Sequence, residues 1–435
     1  MSARRPGGDP SVGFDDSWYF ATSHPTPRRA PLRESIEVDV CVIGAGYTGL
    51  SAALELADAG FTVAVLEAHR VGAGASGRNG GVLGMGQRKD QIELEARFGS
   101  ADAKLMWQIA CDANQLVRDR VKKYAIDCDL KDGELHVAHK ARYTHELHEY
   151  ANYLAQHYDY PHQTPMTAAE VADVLGSDRF HGGCLDARAG HIHPLNYALG
   201  LAAVAEAKGA AIYETSRAHD YQAGDDHVTV ITDSGRVRAQ FLIIACNGYL
   251  GRFERRIDQF QMPINNFILA TEPLGEERAR AINSIDAAVV DTRFVVNYFH
   301  NSPDHRLIFG GGENYSSRFP ADLKSFVRKR MLRVYPQLEG VAIDYAWGGT
   351  LAVTMNRMPN FGRINPNIYW AQGYSGHGIA MANMGGKLVA EAITGHAERF
   401  DVFANRKQAP FPGGRWLRWP ALVAGMLFYK MLDKV

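Results

Sequence analysis

Apolar residues in this chain recur with two different periods, and the places where one gives way to the other outline its elements. "VDVCVIG" (38–44) is an unbroken apolar run that ends on glycine, the pattern of a strand buried on both faces. "YTGLSAALELADAG" follows, with Leu50, Ala53, Leu54 and Ala57 on one helical face until Gly60 stops it, and "FTVAVLE" is a second apolar run. Strand, glycine turn, helix and strand predict a right-handed βαβ unit with parallel strands. The same grammar returns at "HPLNYALGLAAVAEAKG", where Pro194 suits a first helical turn, Leu195, Ala198, Leu199 and Ala202 share a face, and Gly209 closes the helix. "AIYETS" reads as the next strand. "HVTVIT", the turn "DSG" and "RVRAQFLIIACN" read as a hairpin whose second arm enters the core.

Between these blocks the pattern changes. Residues 96–185 are more polar and mostly helical in period, with turns at "KDGE" and "HGG". Residues 262–340 alternate like sheet, as in "FVVNYFH" and "RLIFGGG", before a charged helix around 322–334. The predicted fold is α/β: a Rossmann-like dinucleotide-binding domain with a second α+β substrate domain built on a mostly antiparallel sheet. The pattern assigns 38–95, 186–261 and 341–405 to the first domain and 96–185 and 262–340 to the second. Residues 1–37 form an N-terminal arm, flexible at its start, and 406–435 a C-terminal tail.

Composition narrows the partners. A chain of 435 residues suits two lobes, and Lys+Arg 47 against Asp+Glu 48 gives a net charge of -1, so nothing calls for nucleic acid. A small molecule is the expected partner. The five cysteines (Cys41, Cys111, Cys128, Cys184, Cys246) stand far apart, which excludes a clustered metal centre, so no metal is expected, and suits a reducing cytoplasm. "WPALVAGMLFY" (419–429) is much shorter than the ~20 residues of a spanning helix. With Trp416, Trp419, Arg415, Arg418 and Lys430 around it, this stretch suits either a peripheral membrane contact or a terminal helix packed on its own domain.

The chemistry begins at "GAGYTG". Its first glycine makes a tight turn, its second admits a pyrophosphate to the backbone, and its third lets helix and strand pack closely. Glu67 ends the following strand, 18 residues after Gly49, where a carboxylate accepts from ribose hydroxyls. Directly after it, "GAGASGRNGG" supplies a second run of permissive backbone able to present N–H groups to an anion. One phosphate loop suffices for NAD; a second points to a longer dinucleotide, FAD.

These stretches, with the late "QGYSGHGIAMANMGGKL", resemble the D-amino-acid oxidase superfamily of FAD-dependent amine and amino-acid oxidases. "SWYFAT", "YAIDCDL", "AGHIHPLN", "YPQLEGVAIDYAW", "RMPNFGRI" and "NIYWAQGYSGHG" are most similar to its γ-glutamylputrescine oxidase branch. The resemblance implies FAD on Gly44, Gly46, Tyr47, Thr48, Gly49, Glu67 and Ala68. It places Gly74, Ala75, Ser76, Arg78, Asn79, Gly80 and Gly81 near the pyrophosphate and flavin, Ala218 by the adenine, and Trp347 and Gly349 beside the ring. Gly373, Gly376, His377, Gly378 and Ile379 open a helix whose positive end suits a reduced, anionic flavin. It implies an oxidase acting on an amine and O2.

No cysteine follows Cys246 and His69 lies two residues from the ribose acid, so the FAD is expected to be non-covalent. His193, Tyr298, Trp347, Tyr374, Arg78 and Arg357 are the candidate lining of the reacting end, with plain packing roles open for each. Arg78, Arg306, Arg357 and Arg363 are the candidates for a substrate carboxylate. A sarcosine or glycine oxidase and a membrane-associated amine dehydrogenase remain the alternatives.

Overall fold

The computed structural model describes residues 13–314 and 319–412. Its first sheet has a parallel heart: Ala211–Tyr213, Val63–Leu66, Ser35–Ile43, Arg236–Ile244 and Ile368–Gln372 lie side by side in that order. The expected hairpin is present as Val228–Thr232 against Arg236–Ile244, extended by Ala218–Ala223. Burial follows the strand period. Val40, Val42, Val63 and Val65 face one apolar cluster, while Cys41, Ile43, Ala64 and Leu66 face another. Helices Tyr47–Asp58, Pro194–Ala207 and Gly378–Ile393 cover the first face, and the hairpin strands contribute Val228, Val230 and Val237 to the second.

The second sheet runs in the order Ile343–Val353, Met262–Thr271, Leu307–Asn314, Tyr298–Asn301, Ala288–Asp291, Lys131–Val137, Gly182–His191, Val82–Leu83. Its neighbours are antiparallel except Ala288–Asp291 beside Lys131–Val137. Helices Leu323–Val334 and Ala168–Leu175 close its core through Val327, Met331, Val171 and Leu175.

Sheet membership departs from the sequence division at three places. Ile343–Val353 pairs along nearly the whole of Met262–Thr271, Gly182–His191 continues past residue 186 in the same sheet, and Val82–Leu83 joins its edge. Helix Ser100–Lys123 lies within the span given to the second domain. Its Ala103, Met106, Ile109, Ala110, Ala113 and Val117 nevertheless pack into the first domain's core. Ala103, Ala110 and Ala113 give that helix a small-residue stripe, and it packs against the alanine- and glycine-rich Gly378–Ile393.

The described part of the arm is packed: Phe14, Trp18 and Tyr19 are buried against Trp347, Ile268 and Leu195. Residues 1–12 and the aromatic, basic stretch of the tail lie outside the described residues. Among the described residues, no helix is long and apolar enough to cross a membrane.

The tightest joint is at Gly49, where a Cβ would stand 1.9 Å from the carbonyl oxygen of Gly44. Gly49→Ala is expected to destabilise the protein by about 3 kcal/mol. Gly340→Ala, where a Cβ meets nothing within 4 Å, should stay within about 0.5 kcal/mol. Denaturant unfolding of the two variants checks the contrast.

Candidate active site

One cavity of about 1660 Å³ runs between the sheets. At one end the first glycine loop and the ribose acid are built into each other. Gly44 N–H donates to the Leu66 carbonyl at 2.9 Å, and the Glu67 carboxylate accepts from the N–H of Ala45 and of His69, both at 2.9 Å. Burial raises the Glu67 pKa against the pull of those two N–H groups. Ala68, Arg217 and Ala218 line the same end.

The two glycine loops meet at Ser76. Its hydroxyl accepts from the N–H of Tyr47 at 3.0 Å, and a Cβ on Gly46 would lie 2.9 Å from that oxygen. The second loop is knit by Asn79, whose amide donates to the carbonyls of Ala75 and Ser76 at 3.1 and 2.9 Å and whose oxygen accepts from Gly81 N–H at 2.9 Å. Gly74, Ala75, Gly80 and the backbone of Asn79 thereby face the cavity. A Cβ on Gly80 would fall 2.2 Å from the Tyr298 ring, so only glycine lets the loop pass there.

The second helix N-terminus, with Gly376, His377, Gly378 and Ile379, opens onto the cavity beside Tyr47 and Thr48 of the first. Gly349 lines it from the second sheet.

Not every expected residue faces this space. Gly49 is used up in the contact with Gly44. Gly81, at φ +75, abuts the Ile192 carbonyl, and Gly373, at φ +76, abuts Thr354 and donates to the Asn247 side chain at 3.0 Å. Trp347 lies behind the wall, fully buried, where its indole N–H donates to the Arg78 carbonyl at 3.0 Å. Arg78 lines the cavity by its stem. Its guanidinium donates to the carbonyls of Ala73 and Gly348 at 2.7 and 3.1 Å and stacks over Phe14. His193 also lies outside, capping Pro194–Ala207 through Nδ1, which accepts from Asn196 N–H at 3.1 Å, with Nε2 against the Thr22 hydroxyl. Tyr374 lines the cavity, but its hydroxyl is bonded to that of Thr48 at 2.6 Å, at the dinucleotide end.

Tyr298 and Arg357 do line the other end. The Tyr298 hydroxyl donates to Asn266 at 2.5 Å, and burial pushes its pKa well up. Of the remaining arginine candidates, Arg306 is held by Asp304 and Asp344, and Arg363 by Asp401.

Sequence reasoning missed a charged group at this end: Arg88, Glu134, His136 and Glu313. Glu134 and His136 pair at 3.1 Å. Burial works against both charges, but the pair outweighs it: Glu134 is held below the usual carboxylate range and His136 is raised. The signal was in "GELHV", since residues two apart on a strand share a face and the intervening Leu135 is fully buried on the other.

Against known proteins, the model of the family described as FAD dependent oxidoreductase matches residues 39–392. The chain belongs to that family. It is 40% identical over 423 residues to the γ-glutamylputrescine oxidoreductase of Escherichia coli strain K12, covering 96% of this chain and 98% of that protein. It is 24% identical to a glycine oxidase of Bacillus licheniformis, over 85% of this chain and 98% of that one. The crystal structure of glycine oxidase from Geobacillus kaustophilus superposes with a TM-score of 0.70 at 20% identity, covering 82% and 95% of the two chains.

The expected superfamily and fold class therefore hold, and the enzyme is an FAD-dependent oxidoreductase. The residues present fit the cofactor: a buried carboxylate, Glu67, beside the first glycine loop, a glycine cradle that a Cβ would fill, and two helix N-termini at one cavity.

Two predictions follow from this geometry. Glu67→Ala is expected to lower FAD affinity about 100-fold by removing the ribose acceptor and leaving two backbone donors unpaired, read as flavin absorbance lost on gel filtration. The second concerns acid stability. Burial lowers His191 to about 4, and His193 and His300 to about 3. Each is neutral when folded and protonates below about 6.5 when unfolded, so the unfolded chain binds more protons and stability falls as pH drops from there. The expected loss is about 1 kcal/mol per histidine for each pH unit below about 6.5. His300→Asn should flatten the slope of unfolding free energy against pH.

Proposed function

We propose that the protein oxidises the terminal primary amine of γ-glutamylputrescine with O2 as electron acceptor. The amine loses two electrons and two protons to become an imine, which water hydrolyses. The net products of amine, O2 and water are γ-glutamyl-aminobutyraldehyde, ammonia and H2O2. The observation that carries this reading is the 40% identity to γ-glutamylputrescine oxidoreductase across 96% of the chain. The cavity supports it, because about 1660 Å³ exceeds the ~300–1,000 Å³ usual for one ligand and leaves room for an extended substrate beside a dinucleotide.

Bound FAD supplies the two-electron oxidation, accepting hydride from the carbon that bears the amine. Everything else falls to the chain. Glu67 would hold the ribose, the loop from Gly74 to Gly80 would follow the pyrophosphate, and the N-terminus of Gly378–Ile393 would favour negative charge on the reduced ring. Tyr298 would wall the amine and help exclude water.

Binding is non-covalent in this reading. Burial pushes the cavity thiols Cys184 and Cys246 up to about 12, which leaves almost no thiolate at neutral pH, and His69 sits at the ribose end beside Glu67. All five cysteines are free, which agrees with a cytoplasmic setting.

Anaerobic titration of the purified holoenzyme tests the substrate. γ-Glutamylputrescine is expected to bleach the flavin at least about 100-fold more efficiently than putrescine, sarcosine or glycine, as expected when a charged anchoring group is missing. Air should then restore the absorbance with release of peroxide. Bleaching by sarcosine or glycine alone would move the enzyme to small amino acids, and reoxidation by quinones but not by O2 would exclude an oxidase.

A further inference from the structure

The segment from Gly84 to Asp90 joins the edge strand Val82–Leu83 to helix Gln91–Phe98 and borders the cavity throughout. It is pinned on both sides of Arg88. The buried Gln87 side chain donates to the Met106 carbonyl at 3.1 Å, and Gly86, at φ +73, leaves only 3.0 Å between a hypothetical Cβ and the Trp107 ring. On the other side Asp90 caps the helix, accepting from Glu93 N–H at 2.7 Å. Arg88 is thus presented to the cavity from a fixed backbone, and among the described residues its guanidinium has no hydrogen bond, ion pair or ring contact.

Arg88 is an exposed side chain whose open surface lines the cavity, so its guanidinium is available to a molecule bound there. Burial and the charge of Arg357 lower its pKa, and Glu313 opposes them. His136 and His377 also feel its charge, each being pushed down by it. Arg88 thus feels a second cation, Arg357, and the carboxylate of Glu313, all three in the wall of one cavity. Arg357 is itself carried at φ +61 and lies over Phe294, at 5.8 Å from the ring centroid.

We propose that Arg88, assisted by Arg357, binds the α-carboxylate of the glutamyl head and makes the enzyme select γ-glutamylated diamines over free diamines and over those acylated by a group without a carboxylate. This assignment rests on the substrate proposed above. A free diamine ends in an ammonium with no carboxylate beside it, whereas the glutamyl head carries its ammonium next to a carboxylate, so the same pair can hold one substrate and repels the other. A guanidinium with both edges open matches a carboxylate in two parallel hydrogen bonds, which an ammonium cannot reproduce.

The test uses holoenzyme, wild type and Arg88→Met, with Arg88→Lys as the conservative variant. The substrates are γ-glutamylputrescine and N-acetylputrescine, which keeps the amide and amine but lacks the carboxylate. The expected result is a fall of about 100-fold in the ratio of their kcat/KM values in Arg88→Met, expressed in KM, with partial recovery in Arg88→Lys. An unchanged ratio, in an enzyme that oxidises γ-glutamylputrescine, overturns the role of Arg88 and leaves the substrate standing.

Binding of γ-glutamylbutylamide, which has the head but lacks the terminal amine, is read in parallel from the flavin spectrum. Arg88-dependent binding in an enzyme that fails to oxidise γ-glutamylputrescine supports the anion site and removes the substrate reading. Failure of both overturns both.

Discussion

Two glycine contacts hold this molecule together at its centre. A Cβ on Gly49 would enter the Gly44 carbonyl, and one on Gly386 would lie 2.2 Å from the Thr48 carbonyl and 2.7 Å from Cβ of Ser51. The first contact seats helix Tyr47–Asp58 on its own strand turn; the second seats helix Gly378–Ile393 on that helix. Together they bring residues more than three hundred positions apart to one cavity with both N-termini facing it. Polar bonds then lock the arrangement. The Ser51 hydroxyl donates to the Asn383 carbonyl at 2.6 Å, and the Asn383 side chain accepts from Arg120 and Tyr197, each at 3.0 Å. Four helices meet at that one residue, whose side-chain Nδ2 donates to the Ile379 carbonyl at 2.8 Å. A fully satisfied buried network of this kind fixes one packing over its near alternatives.

The wall opposite depends on a different joint. Phe14 under Arg78, and Tyr19 against Trp347 at 5.2 Å, tie the arm to the loop Gly74–Gly80 and to strand Ile343–Val353. Arg78 satisfies carbonyls from both the loop and the strand. The loop, which lines the cavity, is therefore held from behind by the described part of the N-terminal arm and by the second sheet.

The parallel sheet and the dinucleotide loop were legible because burial on two faces leaves a continuous apolar run, and because close backbone approach leaves glycine at fixed offsets. Glu67 could be placed for the same reason. What stayed hidden was which side of a wall a residue occupies. Trp347 and His193 belong to matched stretches yet pack behind the cavity, since strand alternation and a helix cap, not the stretch, decide their direction. The packed arm had a signal that its glycine and proline obscured: Phe14, Trp18, Tyr19 and Phe20 crowd into seven positions, too apolar to stay in solvent. Arg88 had none, for an arginine in a loop reads as surface until the cavity around it is known.

The placement of charge also bears on the chemistry of an amine. Oxidation requires the neutral amine, whereas a primary amine in water is an ammonium ion. Arg88 and Arg357 both line the cavity, and their charges disfavour a cation placed beside them. In the proposed reading the same charges would anchor the carboxylate of a long substrate and ease loss of the ammonium proton where it comes close to them. Glu134 does not cancel this, because it is engaged with His136 at 3.1 Å and that pair is nearly neutral as a unit. A diamine lacking the glutamyl head would meet the same repulsion with no attraction to offset it. In this reading one pair of arginines serves both recognition and reactivity, so discrimination against free diamines requires no separate steric barrier.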